Sequence, residues 1–399
     1  MYNNEALRDT MMPVTLSSDQ RQIRDLLRRV ARERVSPRAD AIDRTAEYPE
    51  DMFDLLAELG LFTLPFPTQY GGSDSMVSAS LAIEELGRVC YNTAYLLFMQ
   101  WVPFGAILAG GSSQQKRDYL PGLASGELRG AISTTEPQSG SDVSGITTRA
   151  RSVAGGYRIS GGKVWCTNSH IADIVLVAAK CESGDGGGKV RDRINFYVIK
   201  RGTKGFVIGS KEHKMGARGV PSCPLFLDDV LVSESDVLGS GKDGFKVVME
   251  TFNRSRPLIG ARGVGLAQGA IDHASAFIQE RAAFGRKISD FQGVRWMLAD
   301  MEIQTQAARS LVYAAAAKVD AGLSGAALAP IAAVSKCFAT DTAMRVATDA
   351  VQLFGASGIS DEFPINRYFR DAKVLQIVEG TNQIQRNIVA NALLGRSTF

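Results

Sequence analysis

Metal-ligand clusters, paired cysteines, surplus charge and long apolar runs are all scarce in this chain of 399 residues. The three histidines, His170, His213 and His273, lie far apart in sequence and do not suggest a metal site. The five cysteines, Cys90, Cys166, Cys181, Cys223 and Cys337, form an odd, scattered set without a C-x-x-C pair. That pattern fits small buried side chains in a reducing compartment rather than a disulfide framework. Lys plus Arg number 45 against 42 Asp plus Glu, a formal charge of +3, so the basic surplus of a nucleic-acid surface is missing. No run of about 18 apolar residues is found, which argues against a membrane span. Met1 to Val14 lacks a basic start followed by an apolar stretch, so no secretory signal is read and a cytoplasmic protein is expected.

What is present divides into three compositional zones, with 45% hydrophobic residues available for a large core. The zone before about residue 128 reads as helical. Ser17 or Ser18 suits an N-cap, and Ile23, Leu26, Leu27 and Val30 recur on one helical face. Further helices are expected over Pro49 to Leu61 and Val77 to Val89, with a turn at Tyr70-Gly71-Gly72. The middle zone carries short β-branched runs, Asp173 to Ala179, Ile194 to Ile199 and Leu225 to Val232, separated by glycine-rich turns. It reads as a small antiparallel β domain or barrel, with an exposed hairpin loop over Cys181 to Arg193. Helical periodicity returns over Phe245 to Arg281, Gln292 to Ala321, Leu328 to Leu353 and about Thr381 to Leu394.

Two faint phosphate motifs are set aside. Gly263-x-Gly265-x-x-x-Gly269 has the wrong spacing for a dinucleotide loop and lies inside a helical pattern, where close helix packing explains it. Gly239-Ser-Gly-Lys242 is followed by Asp243 where a phosphate loop requires Ser or Thr. Any dinucleotide is therefore bound without a Rossmann site.

Four segments carry the chemistry. Ala131-Ile-Ser-Thr-Thr-Glu-Pro-Gln-Ser-Gly-Ser-Asp142 offers hydroxyls and backbone N–H groups to a polar ring edge or a phosphate, and also suits an ordinary strand-to-loop turn. Lys163-Val-Trp-Cys-Thr-Asn168 sets an indole beside a hydroxyl, either a core Trp or a surface for a flat cofactor. Arg281-Ala-Ala-Phe-Gly-Arg-Lys-Ile-Ser-Asp-Phe-Gln292 begins with a guanidinium suited to a pyrophosphate or to solvent. The last comprises Gln352-Leu-Phe-Gly-Ala356, Arg370-Asp371 and Ile377-Val-Glu-Gly-Thr-Asn-Gln-Ile-Gln-Arg386. There Glu379 is either a carboxylate beside a helix dipole or a base, with Thr381 as N-cap of the terminal helix. Arg370-Asp371 reads as a structural ion pair.

In order and spacing, over about Leu16 to Gly395, these segments resemble the acyl-CoA dehydrogenase family, nearest its short- and medium-chain branch. Gln138 stands where many members have Gly, and Cys166 where Ile is usual. The resemblance implies an α+β protein: an N-terminal helical domain over residues 1–128, a middle antiparallel β-barrel domain over 129–240, and a C-terminal four-helix bundle over 241–399. It implies FAD, held by Ile132, Thr134, Thr135, Gly140 and Ser141, by Trp165 and Thr167, and by Thr381 and Gln383. Gln352, Leu353, Gly355 and Ala356 would also contact FAD, while Arg281, Phe284, Phe291 and Gln292 would reach the FAD of a neighbouring subunit, so a homodimer or homotetramer is expected. Ser141, Asn253, Arg256, Val378 and Gly380 would meet the acyl-CoA substrate, and no metal is involved.

The same resemblance makes Glu379 the base that takes the α-proton of the thioester while flavin N5 accepts the β-hydride, giving the trans-2-enoyl-CoA. Some relatives carry the base on an earlier helix, but Ser255 occupies that position here and serine is a poor base. An electron-transferring flavoprotein would be the acceptor. Alternatives within the fold are a dehydrogenase acting on a carrier-protein thioester and an oxygen-using flavin oxidase. A DNA-binding role, known for relatives with a basic C-terminal extension, finds no such tail here. Bulky Tyr95, Leu96, Met99 and Trp101 suggest a short or branched acyl group, whereas Val378 opens space. No Arg lies between Tyr91 and Trp101 to hold a distal carboxylate, which disfavours a dicarboxylyl-CoA.

Overall fold

The computed structural model describes residues 9–182, 194–239 and 244–396. The loop expected over Cys181 to Arg193 and the Gly239 to Lys242 turn fall largely outside those residues. The first helix, α1 (Ser18–Val30), is capped by Ser17, whose Oγ accepts from the Gln20 N–H while Gln20 Oε1 accepts from the Ser17 N–H. This reciprocal box satisfies two of the free donors at the helix start. Helices α2 (Ala39–Thr45) and α3 (Glu50–Glu58) follow. The latter stops short of Leu61 because Gly60 turns left-handed at φ 65°. Then come α4 (Met76–Val89), α5 (Tyr91–Gly110) and α6 (Ser113–Ser125). By length and hydropathy α5 could cross a membrane, but it is the buried centre of this fold, packed on α4, α6, the first strand and the long helix α7 (Gly244–Glu280).

The middle region is one seven-stranded curled sheet built of β1 (Gly130–Ser133), β2 (Arg149–Val153), β3 (Gly156–Thr167), β4 (Ile174–Cys181), β5 (Ile194–Lys200), β6 (Phe206–Ile208) and β7 (Ser222–Ser233). The sheet is mixed, unlike the wholly antiparallel one read from sequence. Both β1 and β2 pair with β4 in parallel, while β3, β5, β6 and β7 pair antiparallel. A parallel return needs a long connection, and the forty residues from Thr134 to Asp173, which carry β2 and β3, supply it for β1. The continuous apolar runs of β4 and β5 have a clear cause. Ile174, Leu176 and Ala178 enter the helical core, with Ile194, Phe196 and Val198 beside them. Val175, Val177 and Ala179 enter the β core with Tyr197 and Ile199. Successive side chains point to opposite faces, so strands wedged between two cores are apolar on both.

After α7 a short hairpin, β8 (Ala282–Ala283) and β9 (Arg286–Lys287), leads to α8 (Gln292–Asp320), α9 (Gly325–Phe354), α10 (Ile365–Leu375) and α11 (Asn382–Leu393). Helices α7, α8 and α9 pack together, α4 lies across α7 and α8, and α11 sits on α9 over a small separate core of Ala329, Ala333 and Ile388. The glycines of α7 serve this packing. A Cβ on Gly265 would lie 2.3 Å from the Glu84 carbonyl oxygen and one on Gly269 2.0 Å from that of Arg88, so α4 rests directly on the α7 backbone. Across the same seam the buried Glu84 carboxylate accepts from Arg309 Nε and from the Tyr313 hydroxyl, each at 2.9 Å, and Arg309 Nη2 donates to Gln268 at 2.9 Å. Glu84→Ala strands the Arg309 charge and should lower stability by about 3–5 kcal/mol in urea unfolding. Tyr313→Phe, which leaves the ion pair intact, should cost only about 1 kcal/mol.

Candidate active site

Between α10 and α11 the backbone takes two consecutive left-handed residues, Glu379 at φ 56° and Gly380 at φ 87°. The second suits glycine; the first is disfavoured for a residue with a side chain and has to be held in place. Lys336 on α9 holds it, donating from Nζ to the Gly380 carbonyl at 3.0 Å and to Asn382 Oδ1 at 2.8 Å. Gln385 Nε2 donates to the Gly380 carbonyl at 2.9 Å and to that of Glu379 at 3.4 Å. Thr381 caps α11, its Oγ1 accepting from the Ile384 N–H at 3.4 Å, and Gln383 is exposed on the first turn.

The turn presents the half-buried Glu379 carboxylate to a set of cations. Burial pushes its pKa up, against the opposing pull of Arg262, Arg256 and Lys336. Burial likewise lowers Arg256 to about 10 and Lys336 to about 7. Arg256 Nη1 donates to Asn253 Oδ1 one turn earlier on α7. Ser255 gives its hydroxyl to the Phe252 carbonyl at 3.2 Å, so Glu379 is the acidic group of this cluster. Val378 is half-buried beside it.

The sheet supplies the opposite wall. Within the loop after β1 the carboxylate of Glu136 accepts from Lys163 Nζ at 2.8 Å, the Thr147 N–H at 2.6 Å and the Thr148 N–H at 3.0 Å. Burial opposes ionisation there, but these bonds hold Glu136 down at about 2. Gln138, the departure from the usual Gly, joins the same knot through Nε2 at 2.7 Å from Glu136. The loop is thereby tied to β3, and its Thr134 and Thr135 stay half-exposed while Gly140 and Ser141 are exposed. Ile132, on β1, is half-buried against the helical core. A register irregularity in β3 between Lys163 and Cys166 puts Trp165 at φ 59° and turns its indole out, 55% exposed. Cys166 points the other way, buried, with Sγ near the Ile132 carbonyl. Thr167 Oγ1 lies 3.1 Å from Ser222 Oγ and also engages the Tyr95 hydroxyl from α5.

The remaining residues singled out in the sequence lie elsewhere. Arg281 follows the C-terminal end of α7, on the order of 37 Å along that helix from Arg256 at 1.5 Å per residue. Phe284 tips the β8–β9 hairpin at φ 51° and is 95% exposed, while Phe291 is half-buried under the Arg286 guanidinium at 4.0 Å. Stacking of Phe277 on Phe354 at 4.1 Å brings the end of α9 to the same place. Gln352, Gly355 and Ala356 are exposed there with Gln292, but the Leu353 side chain is in the core and leaves only its backbone to a ligand. Arg370 and Asp371 do not form the ion pair read from their adjacency. Arg370 forks onto Asp43 and donates to the Met215 carbonyl at 2.8 Å, and Asp371 accepts from the Ala217 N–H at 2.7 Å. Neighbouring residues on a helix point in different directions, so each finds its own partner.

Three family profiles match the chain: acyl-CoA dehydrogenase N-terminal domain over residues 17–127, middle domain over 131–230 and C-terminal domain over 242–394. An acyl-CoA dehydrogenase of Bacillus subtilis (strain 168) is 38% identical over 382 residues, 95% of this chain and 99% of the relative. The chain belongs to the acyl-CoA dehydrogenase family. Among solved structures, butyryl-CoA dehydrogenase from Megasphaera elsdenii superposes with a TM-score of 0.90 at 34% identity, covering 96% of this chain and 99% of that one. A chain from a structure described as electron transferring flavoprotein of Acidaminococcus fermentans also reaches 0.90, at 36% identity, covering 95% and 99%.

An acyl-CoA dehydrogenase is an oxidoreductase acting on a CH–CH group, and the family implies FAD. The residues fit that cofactor: an outward indole offers a flat apolar surface, and the half-exposed Thr134, Thr135 and Thr167 on the adjoining loop and strand offer hydroxyls. Sequence reasoning missed several residues of this acyl-CoA dehydrogenase site: Lys336, Gln385, Arg262 and the Glu136–Lys163 tie. Lys336 and Arg262 left a signal, a lone cation inside an apolar helical run, as in Ala332-Ala-Val-Ser-Lys336 and Ile259-Gly-Ala-Arg262. Gly380→Ala places a Cβ 2.9 Å from Gln385 Nε2 and forces φ 87° on an L side chain, so about 1–3 kcal/mol of stability should be lost. Unfolding and turnover measured on one preparation should both show the damage.

Proposed function

We propose that this protein oxidises an acyl-CoA thioester to its trans-2-enoyl-CoA, with Glu379 as the base that takes the α-proton. The observation that supports this is a half-buried carboxylate fixed in a left-handed turn and facing Arg256, Arg262 and Lys336. An α-proton beside a thioester is weakly acidic, so a base must be close and of suitable strength. Burial strengthens Glu379 as a base, while Arg256, Arg262 and Lys336 keep it ionisable. The Glu379–Gly380 turn would direct a backbone N–H at the thioester oxygen, and Asn253 and Arg256 would receive the CoA side with Ser141 and Val378. FAD, when bound, supplies the acceptor for the β-hydride. Trp165 and Thr167 would orient its ring, the segment Ile132 to Ser141 its polar edge, and Thr381 and Gln383 its linker to α11.

Arg281 lies on the order of 37 Å along α7 from Arg256, which is near Glu379, so the two groups of expected cofactor residues sit towards opposite ends of that helix. We therefore assign Arg281, Phe284, Phe291, Gln292 and the Gln352 to Ala356 segment to the FAD of a second copy. Exposed Phe284, Trp296, Ile303 and Leu393 offer apolar surface for such a homodimer or homotetramer. An electron-transferring flavoprotein is the proposed acceptor, in keeping with the Acidaminococcus fermentans relative, and the cytoplasm the proposed location.

Anaerobic addition of acyl-CoA thioesters to the FAD-loaded protein should bleach its visible bands. A lack of bleaching with every thioester, or peroxide formation during turnover in air, would replace this reading by a carrier-protein or oxidase activity. Glu379→Gln should retain FAD and lose at least about a hundredfold in turnover. Because the ionised form is the base and its pKa is raised, kcat/KM should climb with pH along a limb centred above the ordinary glutamate value of about 4.3. In the variant that limb should vanish. Arg281→Ala should lower FAD content in the assembled protein, although its own chain's Glu379 is remote; unchanged content would remove the shared-site assignment.

A further inference from the structure

Resting on the acyl-CoA reading above, we propose that the acyl group oxidised here carries a carboxylate at its far end, and that Arg262 receives it. Arg262 lies on α7 and is fully buried. None of its three nitrogens has a hydrogen-bond partner among the described residues. Buried guanidinium groups are normally given acceptors, because an unpaired charge in the interior is costly. The other fully buried arginine, Arg309, has Glu84 and Gln268, and Arg256 has Asn253. Arg262 has only ring faces: its guanidinium carbon lies 4.0 Å from the Tyr95 centroid, 4.8 Å from Tyr91 and 5.2 Å from Phe98. These three recur along one face of α5, and they attract the cation without accepting its N–H groups.

The same group belongs to the reaction site. Arg262 is the foremost cation acting on Glu379, and Tyr95, which it overlies, engages Thr167 on the sheet wall. The Glu379 carboxylate therefore lies among Arg256, Arg262 and a Lys336 that burial leaves only partly protonated, so positive charge outweighs negative there. A second carboxylate brought by the substrate would redress that imbalance. It would take paired N–H donors from the planar guanidinium, and the Tyr91 hydroxyl, also without a partner, stands ready to add a third. An alkyl tail would meet the same donors and satisfy none. The absence of arginine from α5 argues against a dicarboxylyl thioester only if α5 must provide the cation; here α7 lays it against α5.

The test compares ω-carboxyacyl-CoA with alkanoyl-CoA thioesters of matched chain length, short to medium, on the FAD-loaded enzyme. At one or more lengths the carboxylated member should have at least about tenfold higher kcat/KM, the kind of discrimination that donors left unpaired by the wrong ligand produce. Arg262→Gln should bring the two members to similar kcat/KM, with a larger loss on the carboxylated member than any loss both share through Glu379. A non-oxidisable ω-carboxy thioether analogue, followed through the flavin bands, should lose affinity by a similar factor. Arg262→Lys, which keeps the charge but not the fork, should fall between. Preference for alkanoyl thioesters at every length in the unmodified enzyme overturns the inference alone, and needs no variant to fold. An equal loss on both members in Arg262→Gln also overturns it, assigning Arg262 to the electrostatics of Glu379. Bleaching by neither member overturns this inference together with the acyl-CoA reading.

Discussion

An ionisable carboxylate has to be kept inside the protein, in a backbone conformation that an L residue resists, and much of the C-terminal half is organised around that demand. Lys336 reaches from α9 and Gln385 from α11 to the carbonyls of the Glu379–Gly380 turn, and the Thr381 cap begins α11 immediately afterwards. Each of those donors would be misplaced if α9 and α11 were not packed on each other, which their small shared core of Ala329, Ala333 and Ile388 secures. The cations that keep Glu379 ionisable are themselves buried, which lowers the pKa of Arg256 and Lys336 and leaves Arg262 without a hydrogen-bond partner among the described residues. The arrangement holds because opposite charges lower one another's cost in a medium that screens them poorly.

The site exists at all because two cores meet there. Strands β4 and β5 are shared between the helical and β cores, and α5 runs through the junction with apolar residues on every side. A sheet that curls against helices leaves its end loops at that junction, and the loop from Thr134 to Asp142 and the irregularity at Trp165 both lie there. The knot of Glu136 with Lys163, Thr147 and Thr148 fixes the loop by buried, charge-assisted bonds. Hydroxyls on it and the indole beside it are thus set before any ligand arrives, and ordering them does not have to be done by the cofactor. Length imposes the opposite constraint at the other end of α7. A helix of 37 residues carries Arg281 and the Phe284 hairpin away from Glu379, which is why they are proposed to serve the cofactor of a second copy.

Much of this was legible in the amino-acid order. Periods near 3.6 marked the long helices, and α7 begins and ends within a residue of where periodicity set it. Ser17 was readable as a cap, Thr381 as another, and the four signature segments pointed to Glu379 and to the sheet residues around Trp165. Those features are local: a capping hydroxyl, an apolar stripe or a Glu-Gly-Thr run depends on residues a few positions apart. The parallel pairing of β1 and β2 with β4 was not legible, because alternation reports which faces are buried and says nothing of strand direction. Adjacency misled at Arg370-Asp371, since neighbours on a helix diverge and each bonded a residue more than 150 positions away.

By itself, then, the sequence determined the order of helices and strands, the family and the candidate base, all of which rest on short-range pattern. Tertiary structure alone decided the surroundings of that base. Lys336 meets Gly380 across 44 positions, Glu136 meets Lys163 across 27, and Arg262 meets the rings of Tyr91, Tyr95 and Phe98 on a helix far earlier in the chain. A lone cation in an apolar run announces that something must be near it, but not what. Only packing chooses the partner, because burial removes water as an alternative and leaves whatever side chains the fold has brought within reach.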